Sequence, residues 1–239
     1  MSHHFEEPSE LRFDLSPETV WAAIATGPGL SSWFMGATEV DAGERVVRTT
    51  MGSYEQQSEI VAYDSGRHFS FRGAESPDGR FFAMEFLIEA SSSGSTVLRI
   101  VSSGFLPDDD WEAEFEAMQA GGRLYLHTLS EYLRHFPGRP GVAVSASTAP
   151  GDLDRRWQAM KADLGLSGTI FVGDTVTIAP TGLRPIEGIV DFVSWDTFGI
   201  RSANALYRFY RGWYGSGVGH HVFSGDLDDW QRWIDSVAA

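Results

Sequence analysis

The spacing of hydrophobic and polar positions along this chain changes period several times, and each change predicts an element. "ELRFDL" (Glu10–Leu15) alternates polar and apolar residues, the pattern of a strand with one buried face. At Ser16 the period lengthens, and Val20, Trp21 and Ile24 fall at helical spacing. Ser16 offers an N-cap, Pro17 fits the first helical position, and Glu18 suits the positive end of the helix dipole. Gly27-Pro28-Gly29 predicts the stop of this helix, and Ser31 the cap of a short helical stub that carries Trp33 and Phe34.

From Glu39 to Phe105 the pattern has period two. It predicts strands near Arg45–Met51, Gln57–Tyr63, His68–Arg72, Phe81–Glu89 and Thr96–Phe105. The separators "YDSGR", "SPDGR" and "SSSGS" are rich in turn formers, which implies antiparallel hairpins. "LPDDDWEAEFEAMQAGGRLYLHTLSEYLRHFPG" then reads as one long helix. Trp111, Phe115, Met118, Gly122, Tyr125, Leu129 and Tyr132 share a face by steps of three and four. Asp108, Asp109 and Asp110 stand at its start, where negative charge is favourable by ~0.3–1 kcal/mol. Pro137-Gly138 ends it. The order strand, helix, stub, strands, long helix predicts an α+β fold, a twisted antiparallel sheet wrapping one long C-terminal helix.

"PGRPGVAVSASTAPG" (Pro137–Gly151) has linker composition with one strand-like run, Gly141–Ser147. Beyond it the same order returns in shorter form. A helix over Asp152–Leu164, capped by Asp152, precedes strands near Thr169–Ala179, Ile186–Trp195, Thr197–Arg201, Ala205–Trp213 and Gly217–Phe223. A closing helix spans Gly225–Val237, capped by Ser224 or Asp226. The expected organisation is a first domain over residues 1–137, a linker with a possible first strand of the next domain over 138–150, and a reduced, diverged repeat of the first domain over 151–239.

Composition removes several function classes. Apolar residues make up 42% and aromatics 13% of 239 residues, enough for a packed core. The formal net charge of -15 argues against nucleic acid or an anionic membrane surface as partner. There is no cysteine, hence no disulfide, thiolate metal site or cysteine nucleophile. No apolar signal core opens the sequence and no run of about 18 apolar residues follows, so the expectation is a cytoplasmic protein without a membrane span. His220 and His221 fall on opposite faces of a strand and cannot share an ion, His3 and His4 belong to a tail expected to be mobile, and "PDDDW" lacks calcium-loop spacing. No nucleophile elbow, Ser-His-Asp spacing or phosphate loop is present. Glu85 alternates with Met84 and Phe86 and so faces away from them, Glu59 and His68 are ambiguous, and His127 reads as structural. No catalytic residue, metal or cofactor is therefore predicted.

What remains is bulky and apolar. Trp33 and Phe34 either pack the stub onto the sheet edge or line the mouth of a cavity. Gly121-Gly122 costs a helix interior ~1 kcal/mol per glycine, which marks either close packing against a strand, the favoured reading, or room for a ligand. The second half is dense in aromatics: Trp195, Phe198, Tyr207, Phe209, Tyr210, Trp213, Tyr214, Trp230 and Trp233. Two partly aromatic faces of "ALYRFYRGWYG" suggest an interface between domains or a homodimer surface.

The run "LSPETVWAAIATGPGLSSWF", with a terminal helix bearing "GGRLYLHTLSEYL", resembles the AHSA type (activator of heat-shock protein 90 ATPase homology) of the START-like, or SRPBCC, superfamily. Ser16, Pro17, Glu18, Val20, Trp21, Leu30, Trp33 and Phe34 carry the likeness, then Gly122, Leu126, Leu129, Tyr132 and Leu133, over roughly Glu10 to Phe136. "DAGERVV" replaces the usual glycine-rich hairpin, and "GGR" the usual "GGW". The resemblance implies a sheet gripping a helix around a cavity for an apolar ligand. Its expected lining is Trp33, Phe34, Phe86, Phe115, Met118, Gly122 and Tyr125. Non-enzymatic binding of a small hydrophobic molecule is the function this favours. The superfamily also includes lipid carriers, hormone receptors, aromatic-polyketide cyclases and chaperone cofactors, so a stress-related chaperone-cofactor module and a cyclase-like enzyme are the alternatives.

Overall fold

The computed structural model describes residues 3–52, 54–90, 95–106, 111–149, 151–166, 168–212 and 215–237. The chain divides into two compact units, Met1–Pro140 and Gly141–Ala239.

In the first unit β1 (His3–Phe13), α1 (Pro17–Ala25) and α2 (Gly27–Leu30) lead into six strands. These are β2 (Ala37–Asp41), β3 (Val46–Met51), β4 (Tyr54–Asp64), β5 (His68–Gly73), β6 (Phe81–Ala90) and β7 (Thr96–Leu106). The long helix α3 (Trp111–His135) closes the unit. All pairings are antiparallel, in the order β1-β7-β6-β5-β4-β3-β2. Short hairpins explain neighbours β2 to β7, and β1 reaches back to complete the edge beside β7.

Three expectations for this unit are corrected. His3 and His4 are not in a mobile tail: β1 begins at His3 and pairs with β7 through eleven registered residues. The first sheet strand after the helices is β2, which the turn-rich "DAGERVV" concealed. Gly27-Pro28-Gly29 is not the break but the second helix itself. The break is at Thr26, which ends α1 in an extended conformation and caps α2 by accepting from the Gly29 N–H at 3.1 Å. Proline is tolerated in a first helical turn. The glycines let α2 press against its neighbours: a Cβ on Gly29 would lie 1.9 Å from the Ala22 carbonyl oxygen, and one on Gly27 2.8 Å from that of Thr38. Trp33 and Phe34 follow α2 in a turn held by the Leu30 carbonyl. Asp108, Asp109 and Asp110, expected to cap α3, lie outside the described residues.

The second unit runs β8 (Val142–Ser147), α4 (Leu153–Asp163), β9 (Thr175–Ile178), β10 (Ile186–Val193), β11 (Thr197–Arg201), β12 (Ala205–Arg211), β13 (Ser216–Val222) and α5 (Trp230–Val237). Its antiparallel sheet is ordered β8-β13-β12-β11-β10-β9. Asp152 caps α4 as expected, accepting from the Arg155 N–H. The closing helix starts five residues later than expected, at Trp230, where Asp229 accepts from the Arg232 N–H at 3.0 Å. Phe198, Tyr207, Phe209, Trp230 and Trp233 build the core with Trp157 and Met160 of α4, while Trp195 is strongly exposed, at 73%. Trp213 and Tyr214 lie outside the described residues.

Candidate functional site in the first unit

Alternation along a strand sends every second side chain to the face that α3 covers. From β4 to β7 that face carries Ile60, Phe69, Phe71, Met84, Phe86, Leu98 and Ile100, all buried. Phe69 stacks on Phe86 with centroids 6.2 Å apart, and Phe71 meets both rings. Glu85 points the other way, as its alternation predicts, and its carboxylate lies 2.7 Å from His68 Nε2.

Trp33 is fully buried. Its Nε1 donates to the Ala23 carbonyl oxygen at 2.9 Å and its ring meets Phe34 and Phe86. It ties the post-α2 turn to α1. Phe34 reaches further along the sheet, between Phe71 at 6.3 Å and Tyr125 of α3 at 5.5 Å. At the far margin Phe5 lies over Gly104, where a Cβ would come within 2.7 Å of the ring, and Phe5 packs on Phe115 at 5.4 Å. Gln119 Nε2 donates to Glu7 Oε1 at 2.8 Å beside it.

These contacts fix which side of α3 faces the sheet: Phe115, Gln119, Gly122 and Tyr125, continued by Leu129 and Tyr132. Along that one face burial changes abruptly. Leu129 and Tyr132 are buried, whereas Phe115, Met118, Gly122 and Tyr125 are only half-buried. Beyond its chain neighbours and the helix's own backbone, no heavy atom lies within 4 Å of a Cβ built on Gly122. The favoured sequence reading, close packing of the glycine pair against a strand, is thus corrected. Burial along α3 falls from Leu129 and Tyr132 toward its first half, where Phe115 and Gln119 meet Phe5 and Glu7 of β1.

The floor has a polar side. Register places Thr38, Thr49 and Gln56 in one row across β2, β3 and β4, and Val47, Ser58 and Gly73 in the next. Thr38 Oγ1 and Thr49 Oγ1 are 3.1 Å apart and buried. Ser58 is 6% exposed, and its hydroxyl makes no hydrogen bond with any described residue. Gly73 has no side chain to cover it: a Cβ there would lie 3.4 Å from Gln56 Nε2 and 3.9 Å from Ser58 Oγ. Sequence reasoning missed this group, because a serine and a glutamine in "YEQQSEI" carry no apolar signal to mark the face of the strand that is buried.

A seven-stranded antiparallel sheet holding a long C-terminal helix, with α1 and α2 inserted after the first strand, defines the helix-grip class. The model of the Activator of Hsp90 ATPase homolog 1-like family matches residues 14–134, just over half of the chain, and the chain belongs to that family. No curated protein sequence gives a significant match. Among solved structures the chain is similar to the di-domain ARO/CYC BexL of the BE-7585A biosynthetic pathway, with 13% identity over 92% of this chain and 85% of that one and a TM-score of 0.49. It is similar to DynU16 of the dynemicin biosynthetic locus, with 14% identity over 98% and 92% and a TM-score of 0.48. Protein MLL2253 from Mesorhizobium loti shares 17% identity over 55% of this chain and 98% of its own, with a TM-score of 0.47. Among the described residues no helix is long and apolar enough to cross a membrane, and no three His, Asp or Glu side chains are grouped to hold a metal ion.

Proposed function

We propose that the first unit binds one small, largely apolar molecule between its sheet and the first half of α3, without catalysis. The observation that carries this is the half-buried first half of α3, where nothing beyond the helix backbone lies within 4 Å of a Cβ on Gly122, on a helix that packs against a sheet carrying buried Phe71, Met84 and Phe86. A concave apolar site with a few placed polar groups is the usual form of a small-molecule site. Phe34, Phe86, Phe115, Met118, Gly122 and Tyr125 are its walls, and Trp33 holds Phe34 in place. Native mass spectrometry with the neutral dye N-phenyl-1-naphthylamine tests the reading. A saturable adduct of one dye per chain is expected; no adduct at dye concentrations that saturate a micromolar site would overturn it.

The cyclase alternative needs two titratable groups converging on the space, and the chaperone-cofactor alternative needs a surface partner. Chromatography of dye-site ligands after incubation would show a chemical change under the first. The proposal expects each ligand to be recovered unaltered.

A further inference from the structure

The polar corner of the floor bears on the chemistry of the ligand. We infer that the bound molecule is neutral and amphipathic, with an aromatic body over Phe71 and Met84 and a hydroxyl or carbonyl oxygen held by Ser58 and Gln56. The inference rests on the binding reading above. It goes further in assigning two residues of β4 a recognition role.

Three observations converge. Ser58 is more than nine-tenths buried and its Oγ makes no hydrogen bond with a described residue, so the hydroxyl is left to water or to a bound oxygen. The Gln56 side-chain amide likewise makes no hydrogen bond with a described residue, and it stands beside Ser58 on the same face. Gly73 opens the approach to both, since any side chain there would meet Gln56 Nε2 and then Ser58 Oγ. Neighbouring Thr38 and Thr49 satisfy each other, so Ser58 and Gln56 are the groups left to recognise a ligand. Both can donate or accept, which suits a phenol, alcohol or ketone equally. A carboxylate does not fit. Among the described side chains on this sheet face there is no lysine or arginine, and the chain as a whole carries a net charge of -15.

The test compares three probes of one shape, naphthalene, 2-naphthol and 2-naphthoate, by quenching of tryptophan fluorescence. One or two net hydrogen bonds at about 0.5–1.5 kcal/mol each predict that wild-type protein prefers naphthol over naphthalene roughly 5- to 30-fold. Ser58→Ala and Gln56→Ala should each cut that preference severalfold, with circular dichroism verifying that both variants remain folded. Equal affinity of wild type for naphthol and naphthalene means a merely hydrated Ser58 and overturns the inference. So does a preference unchanged in both variants, or tighter binding of naphthoate. If none of the three probes binds, the binding reading itself falls, and the inference with it. Naphthalene bound without preference leaves that reading standing and removes only the polar subsite.

Discussion

Two glycines of the first unit do opposite jobs, and single substitutions separate them. At Gly29 an added methyl would meet the Ala22 and Ala23 carbonyl oxygens at 1.9 and 2.7 Å, both rigid backbone atoms. Gly29→Ala should therefore push α2 off α1 and cost about 3 kcal/mol, measured by urea unfolding. An unchanged midpoint would show that the two helices do not pack this closely. A residue in the second unit sets a pH limit. His220 is fully buried among Tyr207, Phe209 and Trp230, the Trp230 centroid only 4.3 Å away. Its Nδ1 accepts the Arg208 N–H at 3.0 Å, so the ring proton sits on Nε2. Burial, then the charges of His221 and Arg208, holds its pKa well below the ordinary histidine value. The unfolded chain takes up a proton at this histidine below about pH 6.5, whereas the folded chain does not. Stability is then intact above pH 6.5 and falls on acidification by up to about 1.4 kcal/mol per pH unit. Hydrogen exchange of β12 and β13 amides between pH 7 and 5, corrected for intrinsic rates, should show this loss. His220→Asn, which keeps an acceptor for the Arg208 N–H, should show a shallower one.

At the scale of elements, periodicity was legible wherever an element buries one face and is bounded by turn formers. β5, β6, β11 and α3 fall where alternation and helical spacing put them. The failures have physical causes. Gly-Pro-Gly has poor intrinsic helix propensity, and α2 forms because Thr26 caps it and α1 covers it, neither of which a local pattern reveals. β1 extends back to His3 through "HHFEEP" because its backbone completes the edge beside β7, a long-range pairing invisible to a window of six residues. β12 looked two-sided for a different reason. Arg208 on its second face is buried, joined by two parallel hydrogen bonds of 3.0 and 2.8 Å to Asp191 of β10. Removing one partner of such a pair leaves a buried charge, so Asp191→Ala should destabilise the second unit by about 3–5 kcal/mol. The double replacement Arg208→Met with Asp191→Leu should recover most of that loss in thermal melts. A double variant as unstable as Asp191→Ala would mean that the pair itself, and not its desolvation balance, holds β10 to β12.

At the scale of the whole molecule the sequence disclosed the order of elements, the aromatic wealth and the family likeness, but not where space remains. Trp33 and Phe34 looked equivalent, yet Trp33 is locked by its bond to Ala23 and Phe34 reaches Tyr125 of α3. The glycine pair in α3 was ambiguous because a glycine is equally suited to contact and to vacancy, and only the distances around it decide. Of the aromatics of the second half, Phe198, Tyr207, Phe209, Trp230 and Trp233 belong to its core, and composition could not say which of them would. Binding is therefore expected of the first unit, and the most direct test is a dye titration of wild type against Gly122→Phe. A Cβ at this position meets nothing beyond its own helix backbone, and the change removes a helix-interior glycine, so it should leave stability unchanged or raise it by about 0.5 kcal/mol while filling the space. Saturable binding of N-phenyl-1-naphthylamine by wild type, lost in the equally or more stable variant, is the predicted result. Equal binding by both proteins would place the dye elsewhere and contradict a ligand site between the sheet and α3.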